Sequence, residues 1–211
     1  HARFRGRIRN GFDGAWRPFF ADQRNALVPA ERLFLMNAAP FGRPRATRAP
    51  LLSFFDALHE YREGVATMRV QVLSALTVVD AAGPQMNQSE TVTFLNDLCV
   101  LAPAALIDPR LSWESIDDRR ARATLALGGQ RVSAELLFND AGELVSFVST
   151  DRFLSADGKH FEALPWVTPL RDYRSFGPRR VSTRGDAVWK TAQGDFVYGE
   201  FELLDLRYNE P

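Results

Sequence analysis

The sequence predicts a single soluble domain built mainly from antiparallel β-strands, with one buried helical segment near its middle. Three observations carry this. Apolar and polar residues alternate with period two in short runs along most of the chain, as half-buried strands require. The runs are separated by Asn-Gly, Asp-Gly and Gly-Gly turn signals. Only between Asn87 and Ile107 does the apolar period become helical. At 211 residues, with 45% hydrophobic and 25% charged residues, the chain can build a sizeable core, and all-β units of this length are commonly one domain.

Arg3 to Arg9 alternates strictly, with the arginines on one face and Phe4, Gly6 and Ile8 on the other, which is a strand. Asn10-Gly11 and Asp13-Gly14 then turn the chain into a second strand, Trp16 to Arg24. Leu33-Phe34-Leu35-Met36 is apolar on both faces, as in a strand covered on both sides or lining an internal cavity. Pro40 to Pro50, rich in proline and arginine, reads as a loop. Leu51 to Leu58 and the long β-branched run Val65 to Val79 give further strands on either side of Gly64.

From Asn87 onward Phe94, Leu95, Leu98, Leu101 and Ala102 recur at helical spacing, and Asn87 with Glu90 offers a capping-box start. Pro103 opens a second short helix through Ile107. No charge falls between Asp97 and Asp108, which predicts deep burial of that stretch. Strands resume after Trp113, at 120–127, 131–138 and 144–150. Pro165, Pro169, Gly177 and Pro178 predict short extended pieces, and the last strands are expected at 187–191 and 196–208.

Acidic and basic residues cancel at 26 each, which removes a global electrostatic case for nucleic acid or an anionic membrane. Their placement is uneven. Residues 1–50 carry ten arginines against three carboxylates, and residues 185–211 carry six carboxylates against Lys190 and Arg207. Basic and acidic strands that neutralise each other explain this, and a basic docking strand through Arg3, Arg5, Arg7 and Arg9 is the alternative. Cys99 is the only cysteine, which excludes an internal disulfide and multi-cysteine metal sites. No run approaches a membrane span. Strand-like alternation starts at Ala2, so a further N-terminal segment is expected in the natural protein.

Trp16 with Pro18-Phe19, Leu95-Asn96-Asp97-Leu98-Cys99, Ala102-Pro103-Ala104-Ala105-Leu106-Ile107, Trp113-Glu114, Asp151-Arg152, Gly185-Asp186-Ala187-Val188-Trp189 and Phe196-Val197-Tyr198-Gly199 occur in this order. Together they resemble a bacterial family of conserved proteins known only as a domain of unknown function, over nearly the whole chain. The element order also resembles the lipoprotein-carrier type of fold. That resemblance implies a curved antiparallel sheet forming a half barrel, with the helical insert, about 89–107, covering its concave face. It implies an apolar or amphipathic small molecule, such as a lipid, as partner. A cell-envelope or membrane-associated location goes with it, reached through the expected N-terminal segment.

If the insert covers a cavity, Phe34, Met36, Phe94, Asn96, Cys99, Phe147, Trp166 and Tyr198 are the candidate ligand-binding residues. Polar side chains in an apolar helix need partners or a cavity, so Asn96 and Asp97 are candidates to meet a ligand's polar end. Asp97 with Asn96 or Tyr198 gives the alternative, an enzyme doing acid–base chemistry on a buried substrate. His59, Cys99 and a carboxylate contain the residue types of a nucleophilic triad, but a cysteine in an apolar helix behaves as a small hydrophobe. His59, Glu60, Glu63 and His160 lack any metal-motif spacing, and no glycine loop suits a dinucleotide, so neither metal nor cofactor is expected.

Overall fold

The computed structural model describes residues 1–38, 55–73 and 75–209. Among the described residues, the first half of the chain forms six strands: β1 (Ala2–Ile8), β2 (Arg17–Ala26), β3 (Glu31–Ala38), β4 (Phe55–Arg62), β5 (Val65–Val72) and β6 (Leu76–Ala82). Helix α1 (Pro84–Leu101) and a 3-10 turn (Pro103–Ile107) follow. Then come β7 (Leu111–Asp117), β8 (Arg120–Leu127), β9 (Gln130–Phe138), β10 (Leu144–Ser149), β11 (Phe153–Leu154), β12 (Glu162–Ala163), β13 (Trp166–Phe176), β14 (Arg179–Thr191) and β15 (Gly194–Leu206).

Thirteen strands form one antiparallel sheet in the order β6-β5-β4-β3-β2-β1-β15-β14-β13-β10-β9-β8-β7, and β11 pairs only with β12. The two edges, β6 and β7, flank α1 in sequence but do not pair with each other, so the sheet curls around the helix without closing. Helix α1 meets β4, β5 and β6 from one half of the sheet and β9, β10 and β14 from the other, which is possible only inside the curve. The expected half barrel with a helix on its concave face is therefore present. One corner is pinned. The Glu63-Gly64 turn presses on the Gly128-Gly129 turn, and a Cβ on Gly64 would lie 2.7 Å from Gly128 Cα. Arg110 fastens the same corner by donating to the Leu27 carbonyl at 2.8 Å.

The pairing of β1 with β15, the central strand of the order, explains the charge asymmetry. β1 lies against β15 in a register that sets Arg3, Arg5 and Arg7 opposite Asp205, Glu202 and Glu200. Their ion pairs close at 3.0, 2.9 and 2.6 Å. Arg9 donates to the carbonyls of Val197 and Phe12 and lies over the Trp16 ring. The docking-strand alternative required unpaired arginines, and these are paired; basic and acidic neighbours neutralise each other on the convex surface.

Several elements differ from expectation for local reasons. The run 65–79 is a hairpin, turned at Leu73 with φ 53, because an apolar β-branched stretch carries no mark of a turn made without Gly or Asn. Helix α1 starts three residues before Asn87. Gly83 precedes it, Pro84 occupies its first turn, and the helix start has no side-chain cap. Asn87 instead accepts from the Ala66 amide at 2.8 Å. The insert's second part is not buried: the 3-10 turn has no buried residue and Ile107 is 91% exposed. The cover is thus 84–101 rather than 89–107. Beyond it, β13 and β14 are long continuous strands, with Pro169 opposite Ser146 where β10 begins to pair. The loop expected at 40–50, and the first residues of the strand expected from Leu51, lie outside the described residues.

Candidate functional site

Period two along β2, β3, β4 and β5 brings alternate side chains to the concave face. On β3 these are Arg32, Phe34, Met36 and Ala38, while Leu33 and Leu35 are about 40% exposed on the convex side. The doubly apolar run is therefore a cavity wall, not a strand covered on both faces. Phe19, Ala21, Phe34, Met36, Ala38 and Ala57 pack as one apolar cluster toward the Phe55–Val72 end of the strands. Toward the Arg62–Val65 end the same rows turn polar, with Gln23 and Asn25 on β2, Arg32 on β3 and His59 on β4.

Helix α1 is buried on nearly every side, and its two faces meet different surroundings. Val92, Leu95, Leu98 and Cys99, with Phe94, join the packed core. The opposite face, Met86, Ser89, Glu90, Thr93, Asn96, Asp97 and Val100, recurs at helical spacing and lines a cavity of about 1060 Å³ between helix and sheet. The apolar face meets the core as in a surface helix, but the polar face meets this cavity where such a helix would meet bulk solvent.

The polar pole is a network of charges taken out of water. Asp97 Oδ2 accepts from Gln23 Nε2 at 2.6 Å, Arg32 Nε at 2.7 Å and Asn25 Nδ2 at 3.0 Å. Arg32 Nη1 donates to Glu90 Oε2 at 3.0 Å, and His59 Nδ1 lies 3.4 Å from Glu90 Oε1. The side chains of Arg32 and Glu90 are only 6% and 2% exposed. Such groups persist inside a protein only when paired. Burial would raise the Glu90 carboxyl, but His59, Arg32 and Arg152 outweigh it and hold it down at about 2. At Asp97 burial wins over the pull of Arg32 and keeps the carboxyl above the usual aspartate range.

On the far wall Arg152 lies over the rings of Trp166 and Trp189, at 4.3 and 5.1 Å from their centroids. Its Nη1 donates to the Tyr198 hydroxyl at 3.2 Å, and Trp166 Nε1 donates to the same oxygen at 3.1 Å. Its Nη2 is 3.9 Å from Glu90 Oε1, so the two walls meet electrostatically at Glu90.

Of the residues expected to meet a ligand, Phe34, Met36, Asn96, Trp166 and Tyr198 line this cavity. Phe94, Cys99 and Phe147 do not: they lie in the packed core with at most 6% exposure. Alternation marks the concave face but cannot divide it into core and cavity wall. Burial pushes the Cys99 thiol up to about 12, the opposite of a nucleophile's requirement. Asp97 is held by three donors, which fixes it rather than freeing it for proton transfer. Sequence reasoning missed Arg32, Gln23, Asn25 and Arg152 as members of the pole. The available signal was an arginine in phase with Phe34 and Met36 on a strand face predicted to be interior.

Fold and site together define an open antiparallel half barrel that encloses an internal helix and a cavity apolar at one end and charged at the other. The chain matches the family described as "Family of unknown function (DUF6544)" over residues 1–201, and it belongs to that family. No protein of curated function matches it. It is similar to a crystal structure named as an outer membrane lipoprotein-sorting protein domain from Vibrio parahaemolyticus, with 11% identity and a TM-score of 0.49, covering 99% of this chain and 84% of that one. At that level of likeness, function has to be argued from this chain's own residues.

Proposed function

We propose that this protein holds an apolar or amphipathic small molecule, lipid-like in character, between the concave sheet and α1. One observation carries the reading: a cavity of about 1060 Å³ whose walls run from an aromatic and aliphatic cluster to a buried charged pole. An apolar cavity with a few placed polar groups is the general form of a small-molecule site. A cargo of this kind draws its carrier to a membrane, in keeping with the expected cell-envelope setting. Among the described residues no helix is long and apolar enough to cross a bilayer.

Native mass spectrometry of gently purified protein tests the reading. The expected result is an adduct in the mass range of a lipid, released on collisional activation and identified after extraction. Adduct-free protein that also fails to take up a hydrophobic fluorophore would refute it.

The acid–base alternative rests on the raised Asp97 carboxyl alone, and the three donors around Asp97 weigh against it.

A further inference from the structure

Three buried side-chain atoms lack a hydrogen-bond partner among the described residues: Asn96 Nδ2, Arg152 Nε and Thr168 Oγ1. All three side chains line the same cavity. Asn96 and Thr168 are 7% and 9% exposed, and the Arg152 side chain 12%, so bulk water does not satisfy them freely. Buried polar groups are nearly always hydrogen-bonded in native proteins, so three unmade bonds on side chains that line one space call for a partner in that space, which a small turn of each side chain brings within reach. Two of the three atoms can only donate, and the threonine hydroxyl can donate as well. The missing partner must bring acceptors.

Charge narrows its chemistry. Arg152 is held by two tryptophan rings and the Tyr198 hydroxyl, and its nearest carboxylate oxygen, on Glu90, is at 3.9 Å, beyond hydrogen-bond reach. Glu90 is already engaged by Arg32. A guanidinium oriented by aromatic planes, with an N–H unspent, is suited to receive an oxyanion. The pole sets the guanidinium groups of Arg32 and Arg152 and the His59 imidazole against the carboxyl groups of Glu90 and Asp97, and of these cations Arg152 alone has no carboxylate within hydrogen-bond reach. One added negative charge is met by Arg152, whereas a second would lie beside the Glu90 carboxylate, whose nearest cations are already engaged.

We propose that the ligand has a monoanionic head, a carboxylate or a phosphodiester, whose oxygens accept from Arg152, Asn96 and Thr168 while its apolar body lies along Phe34 and Met36. This rests on the proposed role as a container and names the class of molecule contained.

Isothermal titration of protein stripped of bound lipid tests it, with four single-chain probes: palmitate, palmitoyl lysophosphatidylglycerol, hexadecanol and hexadecylamine. At least one anion binds about tenfold or more tighter than hexadecanol, as expected for charge-assisted bonds replacing unmade ones. Palmitate ahead identifies the carboxylate and the lysolipid ahead identifies the phosphodiester, and either supports the assignment. Arg152→Met removes most of that preference, lowering the affinity for the anion far more than that for hexadecanol. Asn96→Leu and Thr168→Val, which disturb no ion pair, each lower it in part and keep the test open if Arg152→Met does not fold. Hexadecanol or hexadecylamine binding as tightly as both anions overturns the headgroup assignment alone, as does an undiminished preference in all the folded variants. Binding of none of the four overturns the container as well.

Discussion

Replacing Glu90 by Gln asks what the buried charge network contributes to the fold. Gln has the shape of Glu and approximates its protonated form, so Glu90→Gln measures what ionisation at this position is worth. In the folded protein the carboxyl sits at about 2, against an ordinary value of 4.5. A gap of about 2.5, at about 1.4 kcal/mol for each pKa unit, corresponds to about 3–4 kcal/mol in favour of the folded, ionised state. Because the folded value is the lower one, this stabilisation is fully present above pH 4.5 and is lost as pH falls toward 2. The variant should therefore be less stable by about 3–4 kcal/mol at pH 7 and still by about 2–3 kcal/mol at pH 4, but by only about 1 kcal/mol at pH 3. Urea unfolding of both proteins at these pH values, followed by tryptophan fluorescence, gives the comparison. A difference below about 1 kcal/mol at pH 7, or one that does not shrink on acidification, would show that Arg32, His59 and Arg152 do not hold Glu90 as the geometry implies.

Gly64→Ala places a methyl 2.7 Å from Gly128 Cα at a position with φ 88, so thermal unfolding should show a loss of about 1–3 kcal/mol, whereas Gly11→Ala, at φ 77 in open space, should lose less. Equal effects of the two substitutions would mean that the corner is not tightly packed. Cys99, buried and with its thiol pushed up to about 12, should resist Ellman's reagent at pH 8 in the native protein and react with one equivalent in urea. Rapid labelling without denaturant would place it outside the core.

Strands announced by alternation and glycine turns were legible in the sequence, β1 and the hairpin of β8 and β9 above all. The opposed charge of the two chain ends was equally plain, but alternation cannot say which strands become neighbours, and only the β1–β15 register turns that asymmetry into ion pairs. The hairpin at Leu73 and the helix start at Pro84 were hidden because neither carries the side-chain signal usual at such places. At the site, Asn96 and Asp97 stood out as polar residues in an apolar helix. Glu90 did not, because three residues after Asn87 it looked like half of a cap, although its partners, Arg32 and His59, lie on distant strands. Arg152 was legible only as half of an Asp-Arg pair. In the structure Asp151 serves the Ser133 amide and hydroxyl instead, and the arginine is given to the tryptophans.

The pinned contact of Gly64 with Gly128 makes the half barrel mechanically lopsided. A curled sheet fastened at one corner behaves as a cantilever, stiff beside its anchorage and more compliant with distance from it. The charged end of the β3 and β4 rows lies on the anchored side, where β4 turns into β5, and the aromatic and aliphatic end lies away from it, toward Phe55 and Val72. On that footing the width of the greasy end is expected to vary more readily than the spacing of the charges. For the amphipathic guest proposed above, the chamber is then expected to have a close tolerance for the polar end and a loose one for the bulk and length of the apolar tail.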